Sequence, residues 1–215
     1  MDIKAIIFDL DGVIVSTDEF HYKAWKQLAD QENIYFDKEI NKRLRGVSRM
    51  ESLSIVLERA GIEYSDNEKL ELAARKNDIY VKLLSELNES YVSEDVKMAL
   101  NNLKNSGCKL AIGSSSKNAK TILKAIGLLD FFDVIADGTD IKKSKPDPEV
   151  FLLAASRLNI PPVNCAVVED AHAGIDAAKA ADMCAVAIND AYGYENADFS
   201  IRKMSDLADT YAEGH

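Results

Sequence analysis

From about residue 92 onward, short apolar segments alternate with segments of helical period, and this alternation limits the possible folds more than any other feature. Apolar runs such as Ala166-Val167-Val168 and Ala185-Val186-Ala187-Ile188 predict strands that are buried on both faces. Gly107 and Gly127 stand where a left-handed residue is expected to end a helix. Strands that alternate with helices form right-handed βαβ units, so we expect an α/β fold with a doubly wound parallel sheet.

A block without strand signals separates the first predicted strand, Ala5-Ile6-Ile7-Phe8, from the alternating part. From about residue 16 to residue 91 only helical periods occur, and one helix is predicted to begin at a capping box, Ser48-Arg49-Met50-Glu51. We therefore predict an inserted α-helical domain over residues 16–91. The core domain is predicted to combine residues 1–15 and 92–215.

The charge of the chain restricts its partners. The formal net charge is −10, and affinity for phosphate backbones or anionic membranes comes from Lys and Arg, so neither nucleic acid nor membrane is expected as a partner. No apolar stretch approaches the roughly 20 residues that span a bilayer, and the N-terminus lacks a signal pattern. We expect a cytoplasmic protein in which a small anionic substrate is bound by locally placed cations.

Two carboxylates one residue apart follow the first strand, in Asp9-Leu10-Asp11-Gly12. Side chains two positions apart on a strand leave on the same side, so both carboxylates can reach one point. Like charges at that distance are tolerated mainly where a metal cation or a shared proton compensates them. Asp and Gly are also ordinary turn residues, but the D-x-D-G spacing after a buried strand favours a chemical role over a simple turn.

Three further strand ends carry polar residues. They are the loop Gly113-Ser114-Ser115-Ser116-Lys117, predicted to open a helix, Lys145 in a loop with two prolines, and the pair Glu169-Asp170. Taken singly, each has an ordinary structural interpretation: a serine-rich N-cap, a surface lysine and two surface acids. Parallel sheets bind ligands beyond the carboxyl ends of their strands, so together these residues predict a site for phosphate and a hard cation such as Mg²⁺.

The order of these residues resembles the haloacid dehalogenase superfamily of phosphotransferases. The run Asp9-Leu10-Asp11-Gly12, then Ser114, Lys145 and Glu169-Asp170 match all four motifs of that superfamily, and the match covers essentially the whole chain. The resemblance implies a Rossmann-like core with an α-helical cap domain inserted after the first strand. It also implies a Mg²⁺-dependent enzyme that transfers phosphoryl groups.

Roles for individual residues follow from the resemblance. Asp9 would be the nucleophile that forms an aspartyl phosphate, and Asp11 would be the general acid/base. Mg²⁺ would be held by Asp9, the backbone carbonyl of Asp11, Glu169 and Asp170. The remaining catalytic groups would hold the transferring phosphate, and they are Thr17, Ser114, the backbone of Ser115, and Lys145.

The inserted domain resembles that of the β-phosphoglucomutase branch, whose members interconvert β-glucose 1-phosphate and glucose 6-phosphate through a bisphosphate. Glucose 1,6-bisphosphate is therefore implied as the priming phosphate donor. The implied substrate-binding residues of the inserted domain are His21, Trp25, Arg45, Gly46, Val47, Ser48, Arg49, Ser52 and Lys76. Those of the core are Ser115, Ser116, Lys117 and Asn118. Arg45 departs from the Lys of related loops, which keeps the charge and changes its geometry.

Other interpretations stay open at this point. A phosphatase acting on small sugar phosphates would use the same core residues, and only the inserted domain favours a mutase. A catalytically silent binding module is disfavoured, because Asp9, Asp11, Lys145 and Asp170 are all present. In the inserted domain, His21 and Trp25 lie four residues apart and can simply pack together, and Arg49 can be a surface charge. We expect a monomer that acts on a small sugar phosphate.

Overall fold

A computed structural model of the chain describes residues 2–44 and 47–207. In these residues six strands form one sheet in the order β3-β2-β1-β4-β5-β6, and every neighbouring pair is parallel. The strands are β1 Ala5–Phe8, β2 Lys109–Gly113, β3 Val134–Ala136, β4 Cys165–Glu169, β5 Cys184–Ala187 and β6 Phe199–Ser200. The predicted parallel α/β sheet is confirmed.

The first strand lies at the centre of the sheet. β1 pairs with Lys109–Ile112 of β2 on one side and with Cys165–Val168 of β4 on the other. All four residues of β1 are buried, as an interior strand of a parallel sheet requires. The carboxyl ends of β1, β2 and β4 are therefore neighbours, and each is followed by one of the polar segments that the sequence analysis identified.

Helices alternate with these strands. They are α5 Glu94–Asn105, α6 Ala119–Ala125, α7 Glu149–Leu158 and α8 His172–Ala180. The strand β6 was not predicted, because its two residues are exposed and belong to no apolar run. None of the helices in the described ranges is both long and apolar enough to cross a membrane.

The chain divides into two compact units. The first combines the residues up to Ser16 with those from Asn88 onward, and the second is Thr17–Leu87. Residue 16, which the structure groups with the first unit, was predicted to belong to the inserted domain, and so were residues 88–91. The structure groups them with the first unit, where Asn88 accepts a hydrogen bond from the N–H of Ser90 (3.0 Å) and caps a short 3₁₀ turn.

The second unit is helical, with α1 Asp18–Gln31, α2 Lys38–Lys42, α3 Arg49–Leu57 and α4 Asp66–Leu83. Trp25, Leu28, Leu53 and Leu72 are among its core residues. The hydroxyl of Ser48 accepts from the N–H of Glu51 (3.3 Å), which gives α3 the predicted start. A reciprocal capping box stands at Ser65 and Glu68, at the start of α4. The helix α2 was not predicted, because its five residues are too few to show a helical period.

Candidate active site

The turn after β1 places Gly12 against the carboxylate of Asp170. The turn closes through hydrogen bonds from Ile14 N to Leu10 O (3.0 Å) and from Gly12 N to Val15 O (2.9 Å). Gly12 has a left-handed φ of 86°, and a Cβ built on it would lie 1.9 Å from Oδ2 of Asp170. Only glycine fits both the conformation and the space. The first and last acidic motifs of the sequence therefore meet at this turn.

A buried lysine joins Asp9 to Glu169 of the second acidic motif. The ammonium group of Lys145 donates hydrogen bonds to Oδ1 of Asp9 and Oε1 of Glu169. The side chains of Lys145, Asp9 and Glu169 are only 9%, 11% and 1% exposed. The ring of Phe151 lies below the ammonium, 4.6 Å from its centroid. A solvated surface lysine, the alternative for Lys145 taken alone, is therefore wrong.

The pKa values in this cluster reflect an excess of buried carboxylate. Burial raises the pKa of Asp9 to about 7; Lys145 opposes this shift and Glu169 adds to it. Burial, together with the charges of Asp9 and Glu169, raises the pKa of Asp170 to about 8. Burial lowers the pKa of Lys145, but the carboxylates of Asp9 and Glu169 outweigh that effect and the net pKa is raised. One lysine thus faces several carboxylates, and a further cation would favour their ionised forms.

The acidic side chains of the cluster suit Mg²⁺ in chemistry. Mg²⁺ prefers oxygen ligands and is usually bound by one or two carboxylates together with substrate phosphate. Within the described part of the chain, no three His, Cys, Asp or Glu side chains converge closely enough to form a metal-binding group by themselves. Instead, Asp9 and Glu169 both contact Lys145, while Asp170 lies beside Gly12. The assignment of Asp9, Asp11, Glu169 and Asp170 to a metal stays a prediction.

The loop after β2 is held by its own serines and by the end of β3. The hydroxyl of Ser114 accepts from Ser116 N, and that of Ser116 accepts from Asn118 N, both at 3.2 Å. The N–H of Ser114 donates to Ala136 O (3.0 Å), and that of Gly138 donates to Ser116 O (3.1 Å). The loop Ser114–Asn118 therefore has a fixed backbone beside β1.

The helix after this loop differs from the prediction. α6 begins at Ala119, two residues later than expected, and spans only seven residues. The serine hydroxyls bond to backbone N–H groups two residues ahead, which competes with helix formation over Ser114–Asn118. Ser114 is buried and Lys117 is exposed, while the hydroxyl of Ser115 is buried without a hydrogen-bond partner. Any phosphate site here would use the loop itself.

The second unit contains a buried lysine among aromatic rings, which we call the Lys76 cluster (Lys76, His21, Trp25, Tyr80 and Thr17). The ammonium group of Lys76, whose residue is 3% exposed, lies 2.7 Å from Nδ1 of His21. It also lies 4.8 Å and 4.7 Å from the ring centroids of Trp25 and Tyr80. His21 stacks on Tyr80, whose hydroxyl donates to Oγ1 of Thr17 (3.0 Å). Ammonium groups are favourable over aromatic faces.

A second cation lies close enough to act on this cluster. Burial lowers the pKa of His21, and the positive charges of Lys76 and Arg49 lower it further, so His21 is neutral and its Nδ1 can accept from Lys76. Arg49, half-buried at the start of α3, donates to Oδ1 of Asn77 (2.9 Å). The plain surface charge considered for Arg49 is therefore wrong. For His21 and Trp25, simple packing against each other was the alternative; in the structure both side chains contact the ammonium of Lys76.

The remaining predicted residues lie in varied environments. Thr17 belongs to the second unit and is fully buried at the start of α1. Ser52 is buried, Ser48 is exposed and Val47 is half-buried. Arg45 and Gly46 lie outside the described residues.

One residue of the site was missed by the sequence analysis. Nδ2 of Asn189 donates to the carbonyl of Gly12 at 2.6 Å. Its only sequence signal is its position just after the apolar strand β5, which is too common to indicate a function.

Similarity to known proteins extends over most of the chain. Residues 3–182 match the family model of haloacid dehalogenase-like hydrolases. The chain is 45% identical over 207 residues to the β-phosphoglucomutase of Bacillus subtilis, covering 95% of this chain and 92% of the relative. It is 32% identical over 184 residues to a phosphorylated carbohydrates phosphatase of Thermotoga maritima, covering 84% and 82%. The crystal structure of a β-phosphoglucomutase from Clostridium difficile superposes with a TM-score of 0.88 at 39% identity, covering 99% of this chain and 96% of that one.

Proposed function

Because this chain belongs to the family of haloacid dehalogenase-like hydrolases, we propose that it is a phosphotransferase that interconverts β-glucose 1-phosphate and glucose 6-phosphate. The observation that carries the proposal is the 45% identity to a β-phosphoglucomutase over 95% of the chain, which includes both units. The arrangement around Lys145 supports it, because a buried carboxylate paired with a lysine is suited to attack phosphorus.

In the proposed reaction Asp9 carries the phosphoryl group. The 6-hydroxyl of β-glucose 1-phosphate attacks the phosphorus of phosphorylated Asp9, Asp11 accepts the hydroxyl proton, and the Asp9–phosphate bond breaks to give glucose 1,6-bisphosphate. In the second half of the cycle, Asp9 attacks the phosphorus on C1 of the bisphosphate, and Asp11 returns the proton to the leaving sugar oxygen. Glucose 6-phosphate is released and the phosphorylated enzyme is restored. Glucose 1,6-bisphosphate is the proposed priming donor.

Charge neutralisation is the main requirement of phosphoryl transfer. Mg²⁺ bound by Asp9, the backbone carbonyl of Asp11, Glu169 and Asp170 would reduce the repulsion between the nucleophile and the phosphate. Lys145, through its charge and its hydrogen bond, opposes the rise in the pKa of Asp9 that burial causes. The other groups proposed for the transferring phosphate are Ser114, the backbone of Ser115, and Thr17.

A mutase must also bind the phosphate that is not being transferred. Arg49 and Lys76 are proposed for this role with Ser116, Lys117 and Asn118, because an Arg side chain can bind phosphate through two parallel hydrogen bonds. The sugar is proposed to contact His21, Trp25, Ser52 and the segment Arg45, Gly46, Val47 and Ser48. A sugar hydroxyl, rather than water, is then the preferred acceptor of the phosphoryl group.

The proposal is tested by incubating the protein with β-glucose 1-phosphate, Mg²⁺ and a trace of glucose 1,6-bisphosphate. Glucose 6-phosphate and free phosphate are assayed in the same samples. We expect glucose 6-phosphate as the main product. Free phosphate as the main product would favour the second candidate, a Mg²⁺-dependent sugar-phosphate phosphatase, to which the similarity with the Thermotoga maritima phosphatase points.

We further propose that the protein acts as a cytoplasmic monomer without nucleic-acid or membrane partners. The net charge of −10 supports the absence of polyanionic partners. Light scattering of the purified protein, with and without substrate, tests the monomeric state.

A further inference from the structure

Asn189 holds the turn that carries Asp11 and Gly12. Its side-chain Nδ2 donates to the backbone carbonyl of Gly12 at 2.6 Å. Asn189 lies two residues beyond the end of β5 and has a left-handed φ of 52°. Asn tolerates this conformation better than most residues, but glycine tolerates it best. Backbone conformation alone therefore does not explain an asparagine side chain at this position.

The strand order makes the Asn189 side chain a bridge across the end of β4. β4 lies between β1 and β5 in the sheet. Glu169, the last residue of β4, pairs with Ala187 of β5, and its carbonyl accepts from the N–H of Ile188 (2.9 Å). A bond from the residue after Ile188 to the turn after β1 must therefore cross the end of β4. That end carries Glu169 and Asp170.

The Gly12 turn, which Asn189 holds through its hydrogen bond, packs against one side of the Asp170 carboxylate. The space beside Oδ2 of Asp170 ends at the Cα of Gly12, since an added Cβ would come within 1.9 Å of that oxygen. A shift of the Gly12 turn would change both this boundary and the position of the Asp11 carbonyl. Oxygen ligands bind a metal most tightly when the groups around them fix their positions beforehand.

We infer that Asn189 is a positioning residue that keeps the Asp11–Gly12 turn against Asp170 and thereby arranges oxygen groups for Mg²⁺. The inference rests on the Mg²⁺ site of the proposed function. Asn189 itself touches neither the metal nor the substrate in this role, and acts through the Gly12 carbonyl.

The test uses Asn189→Gly, which permits the left-handed backbone and removes the side chain with its amide. The matched control is Asn159→Gly at the C-terminus of α7, where an asparagine has a similar left-handed φ of 58°. Binding of Mg²⁺ alone to each purified protein is measured by calorimetry without substrate. Loss of one net hydrogen bond predicts about fivefold weaker Mg²⁺ binding for Asn189→Gly. We expect unchanged Mg²⁺ binding for Asn159→Gly.

A second readout separates positioning from general damage. In the mutase assay, Asn189→Gly should need about fivefold more Mg²⁺ for half-maximal rate, yet reach wild-type kcat at saturating Mg²⁺. Unchanged Mg²⁺ affinity, an equal loss in Asn159→Gly, or a kcat that Mg²⁺ does not restore would each overturn the inference alone. Absence of Mg²⁺ binding by the wild type would overturn it together with the metal site. The mutase itself is judged separately, by its products.

Discussion

In the first unit the buried charge is mostly carboxylate, whereas in the second unit it is cationic. Asp9 and Glu169 contact a single ammonium group, that of Lys145, and Asp170 lies close enough for the charges of Asp9 and Glu169 to raise its pKa. In the Lys76 cluster an ammonium group lies against a neutral imidazole and two aromatic rings. The same residue type, a buried lysine, therefore stands in opposite surroundings.

The difference indicates what each unit can bind. Burial and, to a lesser extent, neighbouring carboxylates raise the pKa values of Asp9 and Asp170, so the first unit gains free energy from binding a cation. Aromatic rings and a neutral histidine solvate an ammonium group without cancelling its charge, so the second unit retains a positive field that favours an anion. We infer that the first unit carries out the covalent chemistry and that the second recognises a phosphate.

The largest effect is expected from removing the proposed nucleophile, which tests whether the first unit carries out the covalent chemistry. Asp9→Asn keeps the shape of the side chain but lacks a carboxylate, so we expect turnover to fall on the order of 10³-fold or more. Asp130→Asn, at an exposed position, is the matched control and should leave turnover unchanged. Glucose 6-phosphate formation measures both variants, and near-normal activity in folded Asp9→Asn would end the covalent mechanism.

Arg49 tests whether the second unit recognises the phosphate that is not transferred. Charge-assisted hydrogen bonds contribute about 1.5–3 kcal/mol each, so Arg49→Ala should lower mutase flux by at least about tenfold. Hydrolysis of acetyl phosphate should change much less, because this substrate has no second phosphate. Arg59→Ala, an exposed arginine of the same unit, is the control. Equal losses in both assays would assign Arg49 to folding or to the transferring phosphate.

The carboxylate excess of the first unit predicts the pH dependence of stability. Because the pKa values of Asp9 and Asp170 are raised to about 7 and about 8 on folding, their contribution is present at low pH and is lost as pH rises through these values. Without Mg²⁺, the urea concentration at the unfolding midpoint should therefore decrease as the pH is raised from 5 to about 9. Asp170→Asn should reduce this fall, and Mg²⁺ should reduce it in the wild type. His21 contributes equally to both proteins, so the difference between them isolates Asp170.

The smallest expected effect concerns the cation of the second unit. Lys76→Met keeps the length of the side chain but removes the charge that lowers the pKa of His21. We expect the pKa of His21 to rise by less than its full depression, because burial is the larger cause. Nitrogen NMR of the imidazole during a pH titration measures this change. An unchanged pKa would show that Lys76 does not act electrostatically on His21.

The sequence was informative wherever local patterns were strong. Apolar runs separated by glycine-terminated helices predicted the parallel sheet, and polar residues at four strand ends predicted where a site would lie. Short elements were not predicted, because α2 and β6 have too few residues to show a helical or strand periodicity. The start of α6 was misplaced, because hydroxyl-to-backbone bonds replaced the expected helical turn.

The residue types and their order along the chain are a property of the sequence alone. They indicated a site for phosphate and a hard cation at the ends of parallel strands, and their resemblance to a known superfamily implied phosphoryl transfer. Only the tertiary structure could show that Lys145 pairs with both Asp9 and Glu169, that Lys76 is enclosed by rings, and that Asn189 reaches Gly12. Apart from the contact of Lys76 with Tyr80, these contacts join residues 24 to 177 positions apart. Their geometry depends on strand order and on burial, and local sequence patterns carry no information on which distant side chains a fold brings together.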